Sequence, residues 1–155
     1  MNRISIIDNF ITEKECKQLI KLHKKHKKNM WQHEDTFCVS LDILKEPVVL
    51  TLRKKVNVLS KEINNSKVNY SNLVKWPEGA RHRMHTDYAV RETTLASIVY
   101  LNHDYQGGQT HFEDETSIQP VTGRILLFNG NERYHGVKQI TEGTRYTVAS
   151  WYTKI

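Results

Sequence analysis

The chain has 155 residues, of which 38% are hydrophobic and 26% charged, with three prolines. That length suits one domain, and the composition excludes collagen, coiled coil and disorder as descriptions of the whole chain. Lys and Arg number 23 against 17 Asp and Glu, a formal charge of +6, which points to an anionic partner only if the charge is spread over a binding face.

Two cysteines, Cys16 and Cys38, have neither CxxC spacing nor enough companions for a zinc site or a disulfide scaffold. A reduced environment is the simplest reading, so a soluble cytoplasmic protein is expected. The apolar start around Ile4, Ile6 and Ile7 is broken by Asp8 and is too short for a signal peptide. No apolar stretch approaches the ~20 residues of a membrane-spanning helix, so no membrane partner is expected. Without repeats or low-complexity linkers, residues 1–155 read as a single domain whose texture changes near residue 65.

Up to that point the pattern is mostly helical. Thr12-Glu13-Lys14-Glu15 has the form of a capping box, in which the Thr hydroxyl and Glu carboxylate satisfy free amides at a helix start. Cys16, Leu19, Ile20 and His23 follow at helical spacing and predict one buried stripe. Seven lysines (14, 17, 21, 24, 25, 27 and 28) against Glu13 and Glu15 put +5 of the net charge on this segment. Such a face is ordinarily solvated; its alternative role is docking of a nucleic acid or an acidic protein. Pro47 predicts the start of a second helix, with Leu52, Val56, Leu59 and Ile63 as its apolar face.

Beyond residue 65, short strands alternate with turn residues. Ile98-Val99-Tyr100-Leu101 and Ile125-Leu126-Leu127-Phe128 are compact apolar runs, and Tyr146–Tyr152 is rich in β-branched and aromatic residues. Gln106-Gly107-Gly108-Gln109, Asn129-Gly130-Asn131 and Glu142-Gly143-Thr144 mark turns. The fold class is mainly β with flanking helices: residues 1–65 as a helical N-terminal support, 66–155 as a sandwich or barrel with the helices packed on one side.

Eight histidines are present, and three positions matter most. In a strand, His85 and Asp87 project to the same face and can grip one ion together. His135, after an apolar strand and an Asn-Gly turn, is the best third ligand. Two imidazoles and one carboxylate suit ferrous iron, because they occupy one face of an octahedron and leave adjacent positions for a chelating co-substrate and dioxygen. Arg145, at the start of the final strand, is placed to pair with a ligand carboxylate. His111 with Glu113 is a rival pair, read as surface or pocket rim. His82 and His85, with Arg81 and Arg83, form a cationic strand; His23, His26 and His33 fall in the helical half.

His85-Thr86-Asp87, Tyr100-Leu101-Asn102, Gly107–Phe112, Pro120–Phe128, His135-Gly136-Val137 and Gly143–Tyr146 occur in one order. That order resembles the prolyl 4-hydroxylase-type Fe(II)/2-oxoglutarate-dependent dioxygenases over about residues 70–155, and more loosely over Ile4–Leu19. The resemblance implies a double-stranded β-helix, or jelly roll, as the catalytic core at 66–155. His85, Asp87 and His135 would be the iron ligands, and Arg145 would hold the distal carboxylate of 2-oxoglutarate. Tyr100 would bond the same carboxylate, and Trp151 would line the pocket. The implied reaction hydroxylates a C–H bond with O2, giving succinate and CO2, with ascorbate as reductant and a proline-containing protein or peptide as substrate. Lys75-Trp76-Pro77-Glu78-Gly79 departs from the pattern, with Trp76 where many relatives have tyrosine.

Two other readings compete. A dioxygenase acting on a small molecule or nucleic acid would share the triad, but nucleic-acid demethylases of this type usually carry a second arginine where this chain has Trp151. A non-catalytic jelly-roll binding module would have no need for the triad and Arg145 together.

Overall fold

The computed structural model describes residues 3–87 and 93–155. In chain order its elements are β1 (Ser5–Ile7), α1 (Glu13–Lys25), β2 (Trp31–His33), β3 (Thr36–Ser40), α2 (Pro47–Asn64), β4 (Ser66–Trp76), β5 (His82–His85), β6 (Thr93–Tyr100), β7 (Gln106–Gly107), β8 (Thr110–Phe112), β9 (Ser117–Ile118), β10 (Ile125–Phe128), β11 (His135–Val137), β12 (Ile140–Glu142) and β13 (Arg145–Lys154). A large antiparallel sheet has the order β1-β10-β6-β13-β4-β3-β2, and a smaller one the order β5-β11-β8-β9. A short β12-β7 ribbon lies beside them. Helices on one face of the large sheet and the small sheet on the other make this a double-stranded β-helix.

The helix signals hold. Thr12 Oγ1 accepts from the Glu15 amide at 3.1 Å, and the Thr12 amide donates to Glu15 Oε1 at 3.0 Å, closing the capping box. Pro47 is the first residue of α2, where its missing N–H costs nothing. In α1 the buried stripe is Cys16, Leu19, Leu22 and His23, with Ile20 only half-buried. The helix ends at Lys25, so Lys27 and Lys28 sit on a following 3₁₀ turn, Lys27–Asn29. All seven lysines of the segment are exposed; Lys17 pairs with Glu13 at 3.4 Å and Lys25 with Glu46 at 3.6 Å.

The N-terminal part is more than a helical support. β1 pairs with β10, placing Ser5 opposite Leu127, and the β2–β3 hairpin extends the large sheet beyond β4. These strands are too short to show a readable alternation; hydrogen bonds to an existing sheet edge stabilise them. His33 accordingly lies in a strand.

Period-two alternation sorts the sheet's side chains into two environments. Leu73, Leu95, Val99, Leu127, Tyr146, Val148 and Tyr152 pack under the helices against Leu19, Leu52 and Val56. Ala96, Tyr100, Leu126 and Phe128 pack with Phe112 and Ile118 of the small sheet. In β13 the residues between the helix-facing ones are Arg145, Thr147, Ala149 and Trp151, so the strand carries polar chemistry on the face away from the helices. Among the described residues, no helix is long and apolar enough to cross a membrane.

His23 is buried beneath α1, where its Nε2–H donates to the Phe37 carbonyl at 2.9 Å and its ring meets Tyr146 edge-on. Burial lowers its pKa. The unfolded chain therefore takes up this proton first: the contribution is complete above the ordinary value of 6.5 and is lost as pH falls below it. Urea midpoints should drop between about pH 7.5 and about pH 5, and His23→Gln, which keeps a donor but cannot titrate, should drop less. Identical slopes would remove His23 from the acid response.

Candidate active site

Antiparallel pairing of β5 with β11 sets His85 directly opposite His135, and Asp87 follows the end of β5. Asp87 is fixed by its own amide, which donates to the Gly130 carbonyl at 2.8 Å. Asp87 Oδ1 then lies 3.5 Å from the Nε2 of each histidine. The three donor atoms all fall within 4.8 Å of one another. Asp87 and His135 are buried and His85 is half-buried.

The far side of each ring decides its tautomer. His85 Nδ1–H donates to the Arg83 carbonyl at 2.9 Å, and His135 Nδ1–H to the Arg133 carbonyl at 2.8 Å. Each neutral ring then keeps its Nε2 lone pair for the shared space in front of Asp87. Two lone pairs and a carboxylate converging on one point form a donor set that a divalent cation satisfies, and the ligand types are those of a ferrous facial triad. Burial alone would raise the Asp87 carboxyl; with the rings protonated, hydrogen bonds from His135 and His85 and their charge overcome this and hold it far below the usual carboxylate range. His85 is raised: burial pulls its pKa down, but Asp87, together with the Arg83 carbonyl and Glu34, more than compensates.

Asp87 Oδ2, on the other side, accepts from Trp151 Nε1 at 3.3 Å, and Trp151 stacks on Tyr70 with ring centres 4.7 Å apart. Gly130 walls the same oxygen. A Cβ there would overlap Oδ2 and come within 2.9 Å of Cγ. Gly130→Ala should therefore displace the carboxylate and weaken metal binding by roughly 10–100-fold, as loss of ligand support commonly does. Unchanged affinity in an anaerobic Co2+ titration would show that the turn gives way instead.

These groups line a cavity of about 490 Å3 shared by Trp31, Tyr70, Trp76, His82, Thr110 and Trp151 among others, a volume in the range of small-molecule sites. Arg145 lies behind it, fully buried. Its Nη2 donates to Thr110 Oγ1 at 3.3 Å, and the guanidinium sits 4.6 Å over the Trp76 ring and 5.5 Å from the Tyr100 ring. Tyr100 Oη bonds the same threonine at 2.7 Å.

Among the described residues, Arg145 has no carboxylate partner and its Nε has no hydrogen bond; Tyr105 Oη is likewise buried without a partner. Burial pushes the Tyr105 phenol up to about 12, so it stays a neutral donor. Gly108, at φ +70°, permits this packing: a Cβ there would come 2.9 Å from Tyr105 and 3.2 Å from Arg145. An arginine cannot shed its charge, and burying that charge unpaired costs several kcal/mol. The pocket fits an incoming carboxylate.

The structure thus brings His85, Asp87 and His135 together and places Arg145 and Tyr100 around Thr110. Trp151 lines the cavity and also holds a triad member. Trp76 is both a core residue and the aromatic face under Arg145, with Nε1 donating to Thr147 Oγ1 at 3.4 Å. His111 is half-buried on β8, and Glu113 pairs with Arg133 at 2.8 Å, away from the triad. Thr110, Tyr105 and Gly130 are additions to the expected site. Their only sequence signals are a motif position and turn residues, because their roles come from contacts between distant segments.

The 2OG-Fe(II) oxygenase superfamily model matches residues 69–153. Human prolyl 3-hydroxylase 2 is 38% identical over 65 residues, covering 37% of this chain and 9% of its own length. Prolyl 3-hydroxylase 1 of Gallus gallus matches with the same identity and coverage. The match thus spans about a tenth of these curated relatives. A Pseudomonas putida prolyl-4-hydroxylase superposes with a TM-score of 0.87 at 17% identity, covering 100% of this chain and 94% of that one. The viral collagen prolyl hydroxylase of Paramecium Bursaria Chlorella virus-1, in its 2-oxoglutarate complex, gives 0.81 at 19% identity, with 98% and 96% covered. A Trichoplax adhaerens prolyl hydroxylase bound to a hypoxia inducible factor oxygen degradation domain peptide gives 0.81 at 20%, with 99% and 84% covered. These likenesses establish the same fold, and the family uses Fe(II), 2-oxoglutarate and O2. The chain belongs to the 2OG-Fe(II) oxygenase superfamily.

Proposed function

We propose that the chain hydroxylates a prolyl residue of a protein or peptide, with His85, Asp87 and His135 holding Fe(II) and Arg145 holding 2-oxoglutarate. The observation that carries this reading is the juxtaposition of the triad with a buried, unpaired arginine behind one cavity. Iron bound there, with 2-oxoglutarate and O2, supplies the oxidising power to hydroxylate a C–H bond, with succinate and CO2 as co-products; ascorbate serves as reductant.

The protein's own groups do the positioning. Arg83 and Arg133 carbonyls fix the two imidazole tautomers, and Trp151 and Gly130 fix the carboxylate. Arg145 and the neutral Tyr105 and Tyr100 hydroxyls, with Thr110, orient the distal carboxylate of the co-substrate. Trp76 and the apolar cavity wall exclude water from that ion pair, which strengthens it.

A peptide substrate is supported by the aromatic lining of the cavity, where Trp31 is 42% exposed and Tyr70 and Trp151 are half-buried and stacked. Exposed aromatic faces suit proline rings in an extended chain, which lose little conformational freedom on docking. The prolyl hydroxylases among the similar proteins favour the same class. Proline-rich peptides incubated with the iron-loaded protein and 18O2 should gain one labelled oxygen in step with succinate. Amino-acid analysis should then separate 4-hydroxyproline, the expected product, from 3-hydroxyproline. Succinate formation with no labelled proline in any peptide would overturn the prolyl assignment while leaving the oxygenase chemistry in place.

A further inference from the structure

We propose that His33, Glu34 and His82 form a second divalent-cation site at the mouth of the cavity, distinct from the His85–Asp87–His135 centre. His33 ends β2, Glu34 begins the turn to β3, and His82 opens β5. One donor atom from each lies within 4.8 Å of the other two. His82 Nε2 is 3.3 Å from Glu34 Oε2, and the His33 and His82 rings meet edge to face at 6.1 Å. Two imidazoles and one carboxylate suit zinc or ferrous iron. His33 and Glu34 are exposed, so water can complete the coordination shell.

The backbone supports the arrangement. β2 and β3 pair His33 with Thr36, leaving Glu34 and Asp35 as a two-residue turn. Glu34 takes φ 51°, a left-handed conformation that such turns usually assign to glycine. A carboxylate therefore occupies a position where glycine would be less strained, and it faces the two histidines.

β2 belongs to the large sheet and β5 to the small one. An ion shared by His33, Glu34 and His82 would join the two sheets at the rim and hold the hairpin that carries Trp31. The His82 and His85 rings are 4.0 Å apart, so the two centres adjoin. Repulsion between two dications makes the rim site the weaker of the pair.

The test is equilibrium dialysis of the metal-stripped chain against Zn2+, with metal content read by mass spectrometry. Wild type should hold two ions and the double variant His33→Ala/Glu34→Gln one. Both side chains are exposed, so the variant should keep the wild-type circular dichroism. Mn2+ should broaden the His33 and His82 imidazole resonances in wild type and in Asp87→Asn alike. One ion in wild type, two in the double variant, or no broadening at His33 would overturn the site. Retention of a rim ion when Asp87→Asn leaves total metal unchanged would count against the triad alone.

Discussion

Asp87→Asn is expected to abolish succinate formation and to weaken metal binding by more than the ~10–100-fold typical of losing a supporting contact. The substitution preserves size but removes the negative charge that balances a dication. It also presents the site with an amide that can donate as well as accept. The residue is 9% exposed, its backbone amide donates to the Gly130 carbonyl and its side chain accepts from Trp151, so the variant should fold. Anaerobic Fe(II) titration with the 2-oxoglutarate charge-transfer band as readout separates binding from turnover. Wild-type affinity in Asp87→Asn would end the assignment of Asp87 as a ligand.

Arg145→Gln should raise the apparent KM for 2-oxoglutarate steeply. Removing one member of a buried charge pair costs about 2–5 kcal/mol, or roughly 30–4,000-fold at 1.4 kcal/mol per tenfold. The co-substrate-free protein should not pay that penalty. Arg145 has no acidic partner among the described residues, so losing its charge removes a desolvation cost. Thermal midpoints without 2-oxoglutarate should stay level or rise, while the stabilisation that 2-oxoglutarate adds should vanish. A large fall in the ligand-free midpoint with an unchanged KM would make Arg145 a structural residue.

The triad was legible because its chemistry is partly local. His85 and Asp87 are two residues apart, a spacing that extended backbone would point one way, although β5 ends at His85 and the Gly130 carbonyl holds the Asp87 amide. His135 was marked by its place in an ordered series of motifs, while its register opposite His85 depends on a sheet pairing that no local pattern encodes. The capping box and Pro47 were readable for the same local reason.

Other features depend on distant segments. β1, β2 and β3 exist through the edges they pair with, and their own residues carry little period-two signal. Trp151 could be placed on the cavity side of β13, but its bond to Asp87 required β13 and the β5 end to meet in space. Tyr105 and Gly108 lie in an apparent turn, and only the fold brings Arg145 against them.

Trp151 also bears on the denticity of Asp87. Its indole N–H engages Oδ2 at 3.3 Å, and Gly130 closes the space on the same side. Oδ1, 3.5 Å from the Nε2 of both histidines, is the oxygen left facing the shared space. A second carboxylate oxygen would occupy a coordination position that the reaction needs for the keto-acid or for dioxygen. An indole hydrogen bond on one oxygen would thus favour one-point attachment of Asp87 to a bound cation.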